Sequence, residues 1–136
     1  NMSCILRVYG DALDVDSMLA SNSIELDQIW RKGEPRSIKG KIHINSGVQF
    51  VVSEAGFEEF PVQRNDAIVF LKSNEIAIKE MANFPCVQYC VLDFGVSIRE
   101  GSISSVTYLT PELINLAAKS GAGIEISCYP CSEDDD

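Results

Sequence analysis

The pattern that most constrains this chain is one long helical segment set between two regions of strand-like alternation. From residue 57 to residue 84, apolar residues recur at the three- and four-residue spacing of a helix with one buried stripe. On both sides of this segment apolar and polar residues alternate, which is typical of strands with one buried face. With 136 residues, the chain is long enough for one core and too short for two. These features predict a single α+β domain.

Capping residues locate the predicted helices. Asp14 is a good N-cap for a first helix over residues 15–21, and Thr110 followed by Pro111 has the residue order that begins a helix. Ser73 and Asn74 are expected to divide the long segment into two helices, because Ser73 is itself a natural N-cap.

The strands predicted from the alternation give the element order βαβ-ββ-αα-ββ-αβ. Two antiparallel hairpins are expected, one turning at residues 45–47 and one at Gly101. The predicted strands are residues 3–9, 24–30, 38–44, 48–53, 87–99, 102–109 and 124–129.

We expect a mostly antiparallel sheet with helices packed on one face. The segments from Leu6 to Leu26 and from Thr107 to Ile126 both run strand, capped helix, strand, and both end in an Ile-Glu element. This similarity favours a ferredoxin-like duplication. The domain is predicted to span residues 2–131, with residues 132–136 forming a disordered acidic tail.

The charge of the chain narrows the class of partner. Eleven basic and twenty acidic residues give a net charge of −9, which repels phosphate backbones and favours basic partners over nucleic acid. Residues 31–41 carry five basic residues against one acidic residue, a local charge of +4, which leaves −13 on the remainder. Either these basic residues are simply solvated, or they help to orient one partner by electrostatic steering.

The cysteines indicate a reducing compartment, so a cytoplasmic location is predicted. Their number is five, an odd count that argues against a disulfide framework. The pairs Cys86 with Cys90 and Cys128 with Cys131 lie in strand-like runs rather than on the glycine-containing turns of zinc sites, so no metal or other cofactor is predicted. The apolar runs are far shorter than a membrane span, and no membrane partner is expected.

No catalytic residue is predicted from the sequence. His43 is the single histidine, it falls in a predicted strand, and no nucleophile or phosphate-binding motif accompanies it. Asp11, Asp14 and Asp16 lack the glycine and glutamate of a calcium loop. The chain is therefore predicted not to be an enzyme. The alternative that stays open is a small enzyme or ligand-binding domain that uses a cleft between sheet and helices, with His43 or a cysteine taking part.

Two short stretches carry a family resemblance. The run from Leu6 to Asp14, followed by Trp30-Arg31-Lys32-Gly33-Glu34, resembles the opening of the bacterial DUF4279 family, and the run from Leu109 to Leu113 with residues 117–129 resembles its closing helix and strand. The chain has Asp27-Gln28-Ile29 where that family usually has a proline-threonine pair before the Lys-Gly-Glu turn.

The resemblance implies a small cytoplasmic binding protein, because some members of that family are regarded as immunity proteins encoded near polymorphic toxins. The resemblance therefore implies a cognate basic toxin domain as the partner and neutralisation of that toxin as the function. A nuclease is expected, because toxins that attack nucleic acid are commonly basic. The densest acidic cluster of the ordered chain lies beside two phenylalanines, Phe57 and Phe60, which with Trp30 and Tyr9 are candidate aromatic anchors. The predicted partner-binding residues are Glu54, Phe57, Glu58, Glu59 and Trp30.

Overall fold

The computed structural model describes residues 2–99, 101 and 106–131. This part of the chain forms one five-stranded sheet and three helices. The strands are β1 (Cys4–Gly10), β2 (Gln28–Trp30), β3 (Ser46–Ser53), β4 (Tyr89–Arg99) and β5 (Gly123–Cys131). The helices are α1 (Val15–Met18), α2 (Phe60–Ala82) and α3 (Pro111–Ser120).

The sheet is mixed, with the strand order β2-β3-β1-β4-β5. Neighbouring strands are antiparallel except β4 and β5, which are joined through α3 and are parallel. The first six elements, β1-α1-β2-β3-α2-β4, therefore interleave as two βαβ units with β1 and β3 in the centre, which is the ferredoxin-like arrangement. Helix α3 and strand β5 extend this unit at one edge.

The predicted fold class is confirmed, whereas the predicted element order is wrong in part. The chain is α+β with a mostly antiparallel sheet. The two repeated halves are β1-α1-β2 and β3-α2-β4, and not the two ends of the chain that the sequence similarity suggested. The ends differ in pairing, because β3 separates β1 from β2 while β4 and β5 are hydrogen-bonded directly.

One face of the sheet and the three helices enclose the core. Along β1 the side chains alternate, with Cys4, Leu6 and Val8 fully buried and the residues between them only half buried. Helix α2 lies across this face, where the rings of Phe60 and Phe94 meet edge to face with centroids 5.2 Å apart. The opposite face of the sheet is left without a helix in the described part of the chain.

The predicted helix boundaries are largely confirmed by their caps. Ser17 donates its backbone N–H to the Asp14 carboxylate at 3.1 Å, and Leu113 donates to Thr110 Oγ1 at 3.3 Å. Gly121 ends α3 in the left-handed region with a φ of 81°. The predicted break at Ser73 and Asn74 is confirmed as a kink in α2, where Asn74 leaves helical φ and ψ and two helical pieces meet.

The predicted strand at residues 38–44 is wrong. This segment belongs to a loop over residues 31–45 that hydrogen-bonds to itself, with Pro35 bridged to Ile42 and with Gly33 and Gly40 at positive φ. The predicted pairing with β3 does not form, because β2 takes the outer edge of that strand at residues 47–49, next to the predicted turn. Strand β2 is also shorter than predicted, beginning at Gln28 rather than at residue 24.

The predicted hairpin partner of β4 is not found where the chain is described. Of the predicted strand 102–109, residues 106–109 are described and form no strand, while residues 102–105 lie outside the described residues. Strand β5 pairs with β4 from Val91 to Arg99, and β1 pairs with it from Tyr89 to Phe94. The acidic residues 132–136, the predicted tail, also lie outside the described residues.

Candidate functional site

The helix-free face of the sheet, here called the open face, is the candidate site. Because side chains alternate along a strand, the residues that do not enter the core share this surface. The register places Arg7 between Gln49 of β3 and Val91 of β4, and Asp93 beside Glu125 of β5. Its members are Trp30, Ile5, Arg7, Tyr9, Gln49, Val51, Tyr89, Val91, Asp93, Ser97, Glu125, Ser127 and Tyr129.

Three aromatic rings form a row at one end of the open face. Tyr9 lies between Trp30 and Tyr89, with ring centroids 6.4 and 5.0 Å from its own. The Trp30 indole N–H donates to Asn45 Oδ1 at 2.7 Å, which fixes the ring direction. Trp30 also lies over Gly47, where any side chain would collide with both Trp30 and Tyr9. The glycine therefore allows the row to pack flat against the sheet.

A charged network occupies the middle of the open face. Arg7 Nη2 lies 3.1 Å from Asp93 Oδ2 and 3.6 Å from Glu125 Oε2. The Ser127 hydroxyl donates to the other Asp93 oxygen at 2.8 Å. Asp93 is buried, so its charge depends on these partners, whereas Glu125 is half exposed. One cation facing two carboxylates leaves this part of the surface negative.

A cleft of about 650 Å³ opens at the other end of the face. Phe57 and Tyr129 form its aromatic wall with ring centroids 5.4 Å apart, and Phe57 lies directly over Gly95, where a Cβ atom would approach its ring to 2.7 Å. The residues that line the cleft are Phe57, Glu58, Ser97, Arg99, Tyr129, Pro130 and Cys131. This lining combines apolar and charged side chains, which suits a protein side chain or a small molecule.

A buried glutamine holds the cleft in place, and the sequence did not single it out. Gln63 is fully buried in α2, and its amide nitrogen donates to the carbonyl of Gly56 at 3.0 Å and to that of Gly95 at 2.8 Å. It thereby ties the loop that carries Phe57 to β4, and the backbone N–H of Ser97 adds a bond to Phe57 O at 3.1 Å. The one available signal was a glutamine within the apolar stripe of a helix.

The structure brings together only part of the predicted partner-binding set. Phe57 and Glu58 meet in the cleft, whereas Trp30 lies in the aromatic row at the far end of the same face. Six residues of β4 separate the two ends, a span of about 20 Å. Glu59 is exposed at the start of α2 and its side chain makes no capping hydrogen bond.

The remaining candidates are Phe60, Tyr9 and Glu54. Phe60 is buried in the core against Phe94, so its prediction as an anchor is wrong, while Tyr9 is half buried in the aromatic row. Glu54 lies apart from the cleft in a second depression of about 480 Å³, here called the acidic groove. The acidic groove is lined by Ile24, Glu25, Leu26, Asp27, Val51, Glu54 and Phe70.

The histidine and the two buried cysteines do not line the cleft. His43 lies in the loop over residues 31–45, half buried, with its ring stacked at 6.3 Å on Trp30. Burial raises the pKa of the Cys90 thiol to about 12 and that of Cys4 still further, so both stay protonated at neutral pH. Within residues 2–99, 101 and 106–131, no three histidine, cysteine or acidic side chains are grouped to hold a metal ion.

The comparisons with known proteins identify a family. A family model described as a domain of unknown function, DUF4279, matches residues 1–130. No curated protein and no solved structure matches the chain. Among the helices of the described residues, none combines the length and the apolar character that crossing a membrane requires.

Proposed function

Because the chain belongs to the DUF4279 family, a domain of unknown function, we propose its role from its surface: an immunity protein that binds and neutralises a cognate basic toxin domain. The open face is its binding surface. Neutralisation follows from occlusion, since a protein seated on a five-stranded face covers a large area of its partner.

The observation that carries this proposal is the exposure of aromatic rings at both ends of a face that could have been fully polar. Tyr89 is 54% exposed and Tyr129 is 50% exposed, while Trp30 and Phe57 are partly buried beside them. Aromatic side chains of this kind dominate protein interfaces because they bury much area at little entropic cost. Two such anchors about 20 Å apart match the breadth of a protein surface.

The charge supports a basic partner. The chain carries −9 overall, and the network of Arg7, Asp93 and Glu125 in the middle of the face has more acid than base. Long-range attraction would bring a basic domain toward this surface, and the aromatic ends would then hold it.

The test takes the basic toxin domain that this proposal expects among the neighbouring genes and titrates it into the protein by calorimetry. We expect binding that weakens about tenfold between about 50 and about 300 mM salt. Tyr89→Ala and Tyr129→Ala should each weaken binding by at least about tenfold. Tyr108→Ala is the matched control, because Tyr108 is 60% exposed but lies off the sheet, and it should leave the affinity unchanged. Equal losses in all three variants would contradict the proposal.

A second candidate function rests on the cleft itself, whose volume falls in the range of small-molecule sites. The cleft lies on the open face and not between sheet and helices, and Cys131 lines it whereas His43 and Cys90 do not. A ligand-binding domain would retain a small molecule from a cell extract in native mass spectrometry and would lose it in a Tyr129→Ala variant. An empty protein together with toxin binding would favour the immunity function.

A further inference from the structure

The loop over residues 31–45, here called the basic arm, exposes both charge and apolar surface. It carries five of the eleven basic residues of the chain and one acidic residue. Three isoleucines project from it, Ile38 at 55%, Ile42 at 57% and Ile44 at 76% exposure. Three large exposed apolar side chains in one short loop are a reason to look for an interaction site there.

The basic arm has a defined shape. Gly33 donates its N–H to His43 O at 2.8 Å and Arg36 donates to Lys41 O at 3.0 Å, so the two sides of the arm hold each other. At its base, Arg31 forms an ion pair with Asp16 at 2.7 Å. The arm therefore does not need a partner in order to fold.

The charges at the end of the basic arm have no partner within the chain as described. Among residues 2–99, 101 and 106–131, no carboxylate pairs with Arg36, Lys39 or Lys41. The arm alternates these cations with its isoleucines, so a complementary surface would combine carboxylates with apolar side chains.

The acidic groove is such a surface. Ile24, Val51 and Phe70 are its half-buried apolar side chains. Glu25, Asp27 and Glu54 are exposed around them, and within the described part of the chain none of the three forms an ion pair with a cation. Its volume of about 480 Å³ is large enough for several side chains.

We propose that the basic arm of one copy of this chain docks in the acidic groove of a second copy, and the reverse, as a two-fold symmetric dimer. Charge and apolar character are complementary between the two surfaces. The groove residues 24–27 come directly before β2 and the arm directly after it, so both surfaces lie along the same edge of the sheet. A single two-fold axis beside this edge can therefore form both contacts at once.

This inference does not rest on the toxin partner, because it uses the β2 edge, whereas Tyr89, Tyr129 and the cleft lie on β4 and β5. The groove could instead accept a basic segment of another protein. In that case the purified chain alone would remain a monomer, which the experiment below detects.

The test is sedimentation equilibrium of the purified chain from about 1 to about 200 µM. We expect a species of twice 14.9 kDa, with a dissociation constant on the order of micromolar. The arm variant, Lys39→Glu with Lys41→Glu, and the groove variant, Glu25→Lys with Glu54→Lys, should each weaken the dimer by at least about tenfold.

An equimolar mixture of the two variants should dimerise again. In the mixed dimer one contact joins a reversed arm to a reversed groove, and the other contact is native. Lys79→Glu with Lys119→Glu is the matched control, because these exposed lysines of α2 and α3 undergo the same change of charge away from the edge. Circular dichroism confirms folding of every variant.

The mixture separates specific pairing from a general effect of net charge. A monomeric wild type, a dimer that survives both variants, or a mixture that remains monomeric while both variants are folded would each overturn the proposal.

Discussion

The two faces of the sheet are built from alternate residues of the same strands, yet they differ in what they contain. On the helix-covered face, Leu6 and Phe94 are fully buried and contribute packing. On the open face, the neighbouring residues of the same strands include Arg7 and Asp93, which form an ion pair that is only partly exposed to solvent. The comparison shows that one strand can serve stability on one side while it presents aromatic and charged groups on the other.

The difference is sharpest where the open face departs from what stability alone would select. A face selected only for solubility would not keep Tyr89 half exposed at its edge. Nor would it require Gly47 and Gly95, which leave room for Trp30 and Phe57 to lie flat on the sheet. The open face thus has an aromatic ring packed over a glycine at each end, Trp30 over Gly47 and Phe57 over Gly95. We expect mutations on the two faces to separate loss of stability from loss of binding.

The largest expected effect compares two neighbours on β1. Leu6→Ala removes a fully buried side chain and should lower the free energy of unfolding by about 2 to 5 kcal/mol. Ile5→Ala, one residue away on the open face, should cost about 1 kcal/mol because Ile5 is already half exposed. Urea unfolding monitored by circular dichroism measures both. Equal losses would mean that the open face is covered in solution.

The next largest effect is expected at Gln63, which connects helix α2 on the covered face to the cleft on the open face. Gln63→Ala removes the hydrogen bonds to Gly56 O and Gly95 O and should destabilise the protein by about 1 to 3 kcal/mol. Because these bonds hold the loop of Phe57, the same variant should broaden or shift the NMR signals of Phe57 and Tyr129. Val62→Ala is the control, since Val62 is exposed on the same helix. Unchanged Phe57 and Tyr129 signals in a destabilised variant would show that the cleft forms without Gln63.

A smaller effect is expected within the charged network. Arg7→Met leaves Asp93 buried with only Ser127 as a side-chain partner, and should cost about 1 to 2 kcal/mol. Removing the carboxylate as well, in Arg7→Met with Asp93→Asn, should restore part of this loss. A double-mutant cycle in urea measures the coupling between the two residues. Strictly additive losses would contradict the network as described.

The smallest effect lies outside both faces, at the base of the basic arm. The Arg31 hydrogen bonds hold the pKa of the Asp16 carboxylate below its ordinary value. A lowered pKa contributes stability above the unfolded value near pH 4, and this contribution is lost as the pH falls through the folded value. Asp16→Asn should therefore lower the thermal midpoint slightly at pH 7, and this difference from wild type should shrink as the pH falls below the ordinary pKa of an aspartate.

Glu80→Gln is the control for that measurement, because Glu80 is exposed and forms no ion pair within the described part of the chain. A difference between Asp16→Asn and wild type that persists unchanged in acid would show that the effect is not due to the Asp16 charge.

Local chemistry made several elements predictable. The caps at Asp14 and Thr110, the alternation of β1 and the kink at Asn74 all depend on residues close in sequence, and all are found where the sequence placed them. The segment 38–44 has strand-like alternation as well, but it lies in the basic arm. Alternation shows that two sides of a segment differ; it does not show that a strand edge is available to pair with.

The candidate site was predicted in part for the same reason. Phe57 and Glu58 are adjacent in sequence, so their meeting in the cleft was foreseeable, whereas Tyr129 joins them only through the parallel pairing of β4 and β5. Gln63 escaped notice because its partners are backbone carbonyls, which carry no sequence signal. Trp30 stays a candidate anchor, and its position far from Phe57 depends on the strand order.

By itself, the sequence determined the α+β class, the negative charge, the helix caps and the absence of recognisable catalytic motifs, because these depend on composition and short-range spacing. Only the tertiary structure decided which strand edges pair, which face the helices cover, and which aromatic rings and carboxylates share the face left open. Those outcomes are set by competition among distant segments for the same edges and the same core, and that competition is resolved only when the whole chain packs together.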